Sequence, residues 1–265
     1  MIYALVLQAV DLLVVMLVLW AIAVRIRDVS FIDSIWGLGM AALALLSWLH
    51  TIQPGQRATL IAAMAAIWGV RLGAHLFIRW RREGEDKRYA RMLGKAKTEG
   101  RFPSASLTKV FLPQALLLFI TCLPAQLGTL ASGSATIGPL ALAGAALWLI
   151  GMVFETVGDW QLARFRADPA MQGKVLDTGL WRYTRHPNYF GDTCVWWGIW
   201  LAAAEAGPWI ALASVIGPIF LTFTLTKWSG KPMLEKGLAK SRAGYADYVA
   251  RTSGFLPLPP RARKS

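Results

Sequence analysis

The stretch RYTRHPNYFGD, residues 182–192, places an amide and a carboxylate, Asn188 and Asp192, one helical turn apart just ahead of the apolar run VWWGIWLAAA. FETVGDWQLARFR repeats that spacing with Glu155 and Asp159, and WGVRLGAHLFIRWRR brings a cationic or titratable side chain every fourth residue, at Arg71, His75 and Arg79. Residues four apart share a helix face, so each set forms a stripe. An ionisable group inserted among lipid tails costs about 2.5–3.5 kcal/mol, so such stripes count first as functional. SFIDSIWGLG adds Asp33 and Trp36, with Gly37 and Gly39 offering close approach to a neighbouring helix. Carboxylates and an amide facing cations can bind a polar ligand from one side and position a proton donor on the other. Plainer structural roles stand beside this. Asp33 suits a helix N-terminus, Arg71 an ion pair, His75 a satisfied core histidine, and Arg79 a side chain snorkelling to the interface.

Helices long enough to cross a bilayer must carry these groups. The chain has 265 residues, is 55% hydrophobic and 16% charged, and contains 13 Trp, more apolar than a soluble domain of this size. A hydrocarbon core of about 30 Å needs roughly 20 helical residues per crossing. Seven segments approach that length: 2–24, 31–50, 58–78, 110–130, 137–163, 188–205 and 208–228. The expected fold is all-α and membrane-integral, one seven-helix domain over 1–265, with the first span retained rather than cleaved as a leader.

Lys and Arg fix the expected orientation, because basic residues keep their side of a span in the cytoplasm. Arg25 and Arg27, the loops 79–109 and 164–187, and the amphipathic tail 229–265 hold nearly all of them, whereas the opposite loops offer only Arg57. The N-terminus is therefore expected outside and the C-terminus in the cytoplasm, in the bacterial inner membrane. The net charge of +13 then follows from topology and attraction to anionic lipid heads rather than from nucleic-acid binding. Cys122 and Cys194 both fall in apolar spans, so no disulfide framework is implied. No sequence feature calls for an obligate protein partner.

The chain has no GxGxxG after a strand, no GxxxxGK[ST], no CxxC pair and no GxSxG elbow, which argues against a soluble nucleotide fold, a structural zinc site and an acyl hydrolase. His50, His75 and His186 are too scattered to suggest a metal cluster. The loop RWRREGEDKRYARMLGKAKTEGR carries Arg79, Arg82, Arg88 and Tyr89, and is either a lipid-facing polybasic segment or a phosphate clamp. The tail contributes Lys231, Glu235, Tyr245 and Tyr248 and suits a helix lying on the inner membrane surface. A cytoplasm-facing polar pocket with aromatic walls suits a phosphate-bearing cofactor from the cytosol and an apolar substrate from lipid.

DTGLWRYTRHPNYFGD, the tail KWSGKPMLEK…YADYVARTSGFLP, and the early SFIDSIWGLG and RLGAHLFIR segments together resemble the bacterial branch of the steroid 5-alpha-reductase-like membrane enzymes. The resemblance implies seven membrane helices and NADPH-dependent hydride transfer to the β-carbon of an α,β-unsaturated ketone in a lipophilic, steroid- or isoprenoid-like substrate. It implies cofactor contacts at Asp159, Asn188 and Asp192, an aromatic position at Tyr183, and Glu155 one turn before Asp159. Arg185, Arg79, Arg82 and Arg88 are the expected cofactor-binding cations, although Arg185, like Arg182, could equally face the inner leaflet. The steroid-reducing members place a Tyr after the helix-3 His, and this chain has Leu76 there. His75, oriented by Asp33 or Arg71, is then the expected carbonyl-polarising acid. The RHPNYFG element alone is also similar to isoprenylcysteine and phospholipid methyltransferases, which implies S-adenosylmethionine as the alternative cofactor.

Overall fold

The structure is a computed structural model describing residues 1–228 and 230–262, with the side chains of Met233 and Lys240 left aside. Of the expected tail, Ser229 and residues 263–265 lie outside the described residues. The described residues form helices joined by loops, with no strand among them, as an all-α fold requires. The helices are α1 (Ile2–Ile26), α2 (Ile32–Leu49), α3 (Gln56–Glu83), α4 (Lys87–Thr98), α5 (Phe102–Ser106), α6 (Leu112–Thr121) and α7 (Leu123–Ser132). They continue with α8 (Pro139–Ala167), α9 (Pro187–Ala204), α10 (Pro208–Ser214), α11 (Ile216–Phe223), α12 (Lys231–Ser241) and α13 (Tyr245–Arg251). π-helical turns at Leu107–Phe111 and Thr224–Trp228 extend α6 backward into α5 and α11 forward.

Among the described residues six helices are long and apolar enough to cross a membrane: Ile2–Ile26, Ile32–Leu49, Gln56–Glu83, Phe102–Thr121, Pro139–Ala167 and Pro208–Trp228. The chain is thus a multi-pass membrane protein. The expected seventh, α9, matches α2 in length but opens with Asn188, Asp192 and Thr193, which lower its hydropathy. Two boundaries also depart from expectation. The span expected over 110–130 runs over Phe102–Thr121 and breaks at Cys122, because Pro124 in the first turn of α7 has no N–H to continue the ladder. The loop expected over 79–109 is largely helical. α3 continues to Glu83, and KRYARMLGKAKT forms α4 by burying Tyr89, Leu93 and Ala96 on one face beneath an Asp86 cap that accepts from Arg88 N at 2.8 Å.

The chain forms two compact units, Met1–Leu142 with Ile199–Gly217, and Ala143–Gly198 with Pro218–Ser265. In the first, α2 and α3 pack backbone to backbone. A Cβ at Gly37 would sit 2.8 Å from Gly73 N, so the pair rests on glycine, the small-residue packing that holds helices together where lipid removes any hydrophobic drive. Gln8, on α1, donates to Ser47 at 3.0 Å and accepts from Gln126 Nε2 at 2.9 Å, a buried amide link across α1, α2 and α7. In the same unit Glu205 accepts from Gly138 N, Leu140 N and Ala141 N at 3.0, 3.1 and 3.3 Å, satisfying orphan donors at the start of α8.

In the second unit α8 and α9 run antiparallel and meet through glycines. A Cβ at Gly151 would lie 2.5 Å from Gly191 O and 2.6 Å from Val195 N; one at Gly191 would lie 2.5 Å from Glu155 N. That approach sets Glu155 and Asp159 at the depth of the opening turns of α9.

Candidate functional site

Two polar centres emerge, one in each unit. In the second unit Asn188 follows Pro187 at the start of α9, where the proline lacks only an N–H that no helical carbonyl would have received. The Asn188 amide donates to Asp159 Oδ1 at 3.1 Å, and its own oxygen accepts from Tyr189 N at 3.1 Å. Asp159 is 8% exposed and Glu155, one turn along α8, is 2% exposed. Asp192 lies one turn further into α9 than Asn188. The close glycine approach of α8 and α9 thus brings a carboxylate and an amide into contact between two helices. Such a pair offers acceptor oxygens for hydroxyl groups and an amide for a carboxamide-bearing ligand.

Arg185 takes a different part from the one expected. Its guanidinium is 9% exposed and points inward. Nε donates to Glu235 Oε1 at 2.8 Å, one Nη to the carbonyls of Val249 and Thr252 at 3.1 and 2.7 Å, and the other Nη to Glu235 Oε2 at 3.4 Å. The fork that would suit a phosphate is occupied by the protein itself. His186 Nε2 is 3.1 Å from Glu235 Oε1, and the neighbouring ring of Tyr189 stacks on the imidazole at 5.1 Å. Burial raises the Glu235 carboxyl, but hydrogen bonds from His186 and Arg185 more than reverse this and bring it down to about 2. It is ionised at neutral pH, so Nε2 must carry the proton and donate. Burial, opposed by Glu235, holds the His186 pKa below its ordinary value.

The same segment is stitched to the tail. Arg185 N donates to Ser253 O at 2.9 Å, Thr184 Oγ1 to Phe255 O at 2.8 Å and Leu258 N to Tyr183 O at 3.0 Å. The Tyr248 hydroxyl donates to Trp181 O at 2.5 Å. Tyr183 itself is 43% exposed and Arg182 is exposed. The tail is therefore docked by α13 rather than lying only as a surface helix.

The pH dependence of this latch follows from both shifts. A lowered carboxylate contributes stability above its ordinary value of 4.5 and loses it as pH falls toward about 2. A lowered imidazole leaves the unfolded chain the better proton acceptor below 6.5, so it too destabilises the fold on acidification. Thermal midpoints in detergent should stay level from alkaline pH down to the ordinary histidine value and fall below it, most steeply in the carboxylate range. A midpoint that rises on acidification contradicts this assignment.

In the first unit Asp33, in the opening turn of α2, accepts from Tyr89 Oη at 2.6 Å and Arg88 Nη2 at 2.6 Å, with Arg79 Nη2 at 3.9 Å. Gln114 Nε2 donates to Tyr89 Oη at 2.9 Å and its oxygen accepts from Trp36 Nε1 at 2.5 Å. A hydrogen-bonded chain thus joins α2, α4 and α6. Burial, then the Asp33 charge, pushes the Tyr89 phenol well above its usual range, so it stays protonated. Arg88 is committed to Asp33 and Asp86. Arg82 is exposed, and Arg71 and His75 lie half-buried on α3, two turns and one turn before Arg79.

The structure thus brings Asp159 to Asn188, and Asp33 to Arg79 and Arg88. Sequence spacing missed Glu235, His186 and Gln114, whose partners lie 50, 49 and 25 residues away, beyond any local periodicity.

Comparisons place these features among relatives. The chain is 23% identical over 271 residues to an uncharacterised protein of Schizosaccharomyces pombe, covering 91% of this chain and 76% of that one. It is 37% identical over 87 residues to the 3-oxo-5-alpha-steroid 4-dehydrogenase 1 of Mus musculus and 36% over 88 residues to that of Rattus norvegicus. Each of these matches covers 33% of this chain, and 31% and 30% of the relative, so the chain spans about a third of the dehydrogenases it matches. It is also 31% identical over 91 residues to a probable O-methyltransferase of Ustilaginoidea virens, 34% of this chain and 31% of that one. No solved structure matches. The family model described as protein of unknown function (DUF1295) matches residues 19–252, and the chain belongs to that family.

Proposed function

We propose that this protein is a membrane-embedded, NADPH-dependent reductase of a carbon–carbon double bond conjugated to a carbonyl in a lipophilic molecule. The observation that carries the reading is the part-buried Asp159–Asn188 pair, a carboxylate on α8 and an amide at the start of α9 held 3.1 Å apart. Ionisable groups are not kept in such a setting without a partner or a ligand. The partial likeness to 3-oxo-5-alpha-steroid 4-dehydrogenases supports the same class.

The donor set suits the coenzyme at its nicotinamide end. Asn188 has a second amide N–H beyond the one given to Asp159, and the carboxylates of Glu155, Asp159 and Asp192 can accept from ribose hydroxyls or a carboxamide. Arg88 and Arg185 hold carboxylates of the protein, so neither is offered to the coenzyme. When bound, the reduced nicotinamide supplies a hydride to the β-carbon. His75 is assigned to hydrogen-bond the carbonyl oxygen as negative charge gathers there, a role that preorganised donors fill for several kcal/mol. The basic loops support an outside N-terminus, a cytoplasmic C-terminus and a crossing by α9 as the seventh span.

A second reading, methyl transfer from S-adenosylmethionine, is favoured by the likeness to the probable O-methyltransferase. Thermal unfolding in detergent with NADPH, NADH or S-adenosylmethionine separates the two. A ligand at a hundred times its dissociation constant adds about 2.7 kcal/mol. NADPH is expected to stabilise the protein, with the shift abolished in Asn188→Ala and Asp159→Ala; His75→Phe should keep the shift and lose turnover. Stabilisation by the methyl donor alone reverses the assignment, and an unchanged NADPH shift in both variants removes these residues from the coenzyme site.

A further inference from the structure

We propose that the cleft between α4 and the opening turns of the 102–121 span is a specific seat for the phosphate of an anionic phospholipid. The cleft encloses about 210 Å³ and is walled by Lys95 and Met92 of α4, Arg101 in the turn that follows, and Ser104, Thr108 and Lys109 of the span. That is smaller than the roughly 300 Å³ at which pockets for drug-sized ligands begin, and suits a headgroup.

Three cations from three consecutive elements converge on it. Glu99 is shared between two of them, at 3.7 Å from Lys95 and in direct contact with Arg101. Among the described residues no carboxylate pairs with Lys109. The rim therefore carries an excess of two positive charges. The hydroxyls of Ser104 and Thr108 donate to the carbonyls of Arg101 and Ser104, at 3.1 and 2.8 Å, so the cations are the donors left for a phosphate.

Two observations favour a lipid over a free anion. First, the cleft lies at the end of a membrane span. Phe102–Thr121 is one of the six apolar helices, and Trp20, near the matching end of α1, donates its indole N–H to Pro103 O at 2.9 Å. Indoles gather at that headgroup level. Second, an apolar track leaves the cleft along the helix. Leu112 and Leu116, one and two turns beyond Thr108 and on one face, are 39% and 59% exposed. A headgroup held by Lys95, Arg101 and Lys109 would lay its acyl chain along that track.

The test uses full-length protein purified in a neutral detergent, with lipid retention titrated by native mass spectrometry. Dioleoylphosphatidylglycerol is expected to bind tightly, and dioleoylphosphatidylcholine and inorganic phosphate far more weakly. The variant carrying Lys95→Gln, Arg101→Gln and Lys109→Gln should bind phosphatidylglycerol about 100-fold more weakly, since each cation near an anionic lipid surface is worth about fivefold. Lys109→Glu alone should show the loss if the triple variant misfolds, as judged by circular dichroism. A control that removes three exposed charges elsewhere, Lys174→Gln, Lys236→Gln and Arg261→Gln, should keep wild-type binding. Equal losses in the control and cleft variants would overturn the seat in favour of diffuse attraction. Retention of full affinity by the cleft variants would overturn it outright, and inorganic phosphate competing as well as the lipid would reassign the cleft to a free anion.

Discussion

Arg185→Ala is expected to cost about 3 kcal/mol of stability and to free the segment 231–258 for proteolysis. Breaking a buried ion pair from one side typically costs about 3–5 kcal/mol, because the remaining charge keeps its desolvation penalty. The Glu235 side chain is 20% exposed, which places the loss at the lower end of that range. The variant leaves Glu235 with His186 as its remaining partner in the latch, and removes the guanidinium donors from the carbonyls of Val249 and Thr252. The double variant Arg185→Met with Glu235→Leu removes both charges and should recover much of the loss, since an apolar replacement of similar volume spares the desolvation. Thermal unfolding in detergent and limited proteolysis measure both. A single variant that melts within about 0.5 kcal/mol of wild type, the range of ordinary surface changes, would show that the latch contributes little.

The second large effect is expected from Gly191→Leu. Even a Cβ there would lie 2.5 Å from Glu155 N and Gly151 O, both backbone atoms that cannot turn aside. Overpacking with a flexible neighbour costs about 1–3 kcal/mol. Here the helices themselves must separate, and in lipid their close contact is a main source of their attraction. The variant should lose both the cooperative melt and the NADPH shift, because Asn188 and Asp159 are carried on the two separated backbones. Gly94→Ala supplies the contrast: nothing lies within 4 Å of that Cβ, and a helical Gly→Ala change there should stabilise α4 by about 0.5–1 kcal/mol. Similar melts for the two variants would refute the packing argument.

Much of this could be seen in the sequence where one physical rule acts locally. The apolar runs that open at residues 2 and 208 are helices as expected, since length and hydropathy alone decide them. The four-residue spacing puts Glu155 with Asp159 and Asn188 with Asp192 on one helix face each, and the structure joins Asn188 to Asp159 at 3.1 Å. Gly37 was marked for a close helix approach, and the structure supplies Gly69 and Gly73 as its counterparts.

What escaped has a common cause. Arg185 reads as a phosphate ligand because its partner, Glu235, lies 50 residues further along the chain. Helix α4 was hidden in a charged loop because only Tyr89, Leu93 and Ala96 are buried, a stripe too narrow to stand out among so many Lys and Arg. The role of Tyr89 needed Gln114 and Asp33 to converge on one hydroxyl, and no periodicity relates those three positions. The break at Cys122 was legible in principle from Pro124, but the unbroken apolar run around it concealed the stop.

The stitching of residues 181–185 to 248–258 also has a consequence for the making of the protein. Chains emerge from the ribosome N-terminal end first. The arginine that closes this part of the molecule is therefore translated well before the carbonyls it must hold. Until those arrive, the guanidinium has water rather than protein as its hydrogen-bond partner. Products that end before residue 235 would leave the stretch around this arginine undocked, so its order depends on completion of the chain.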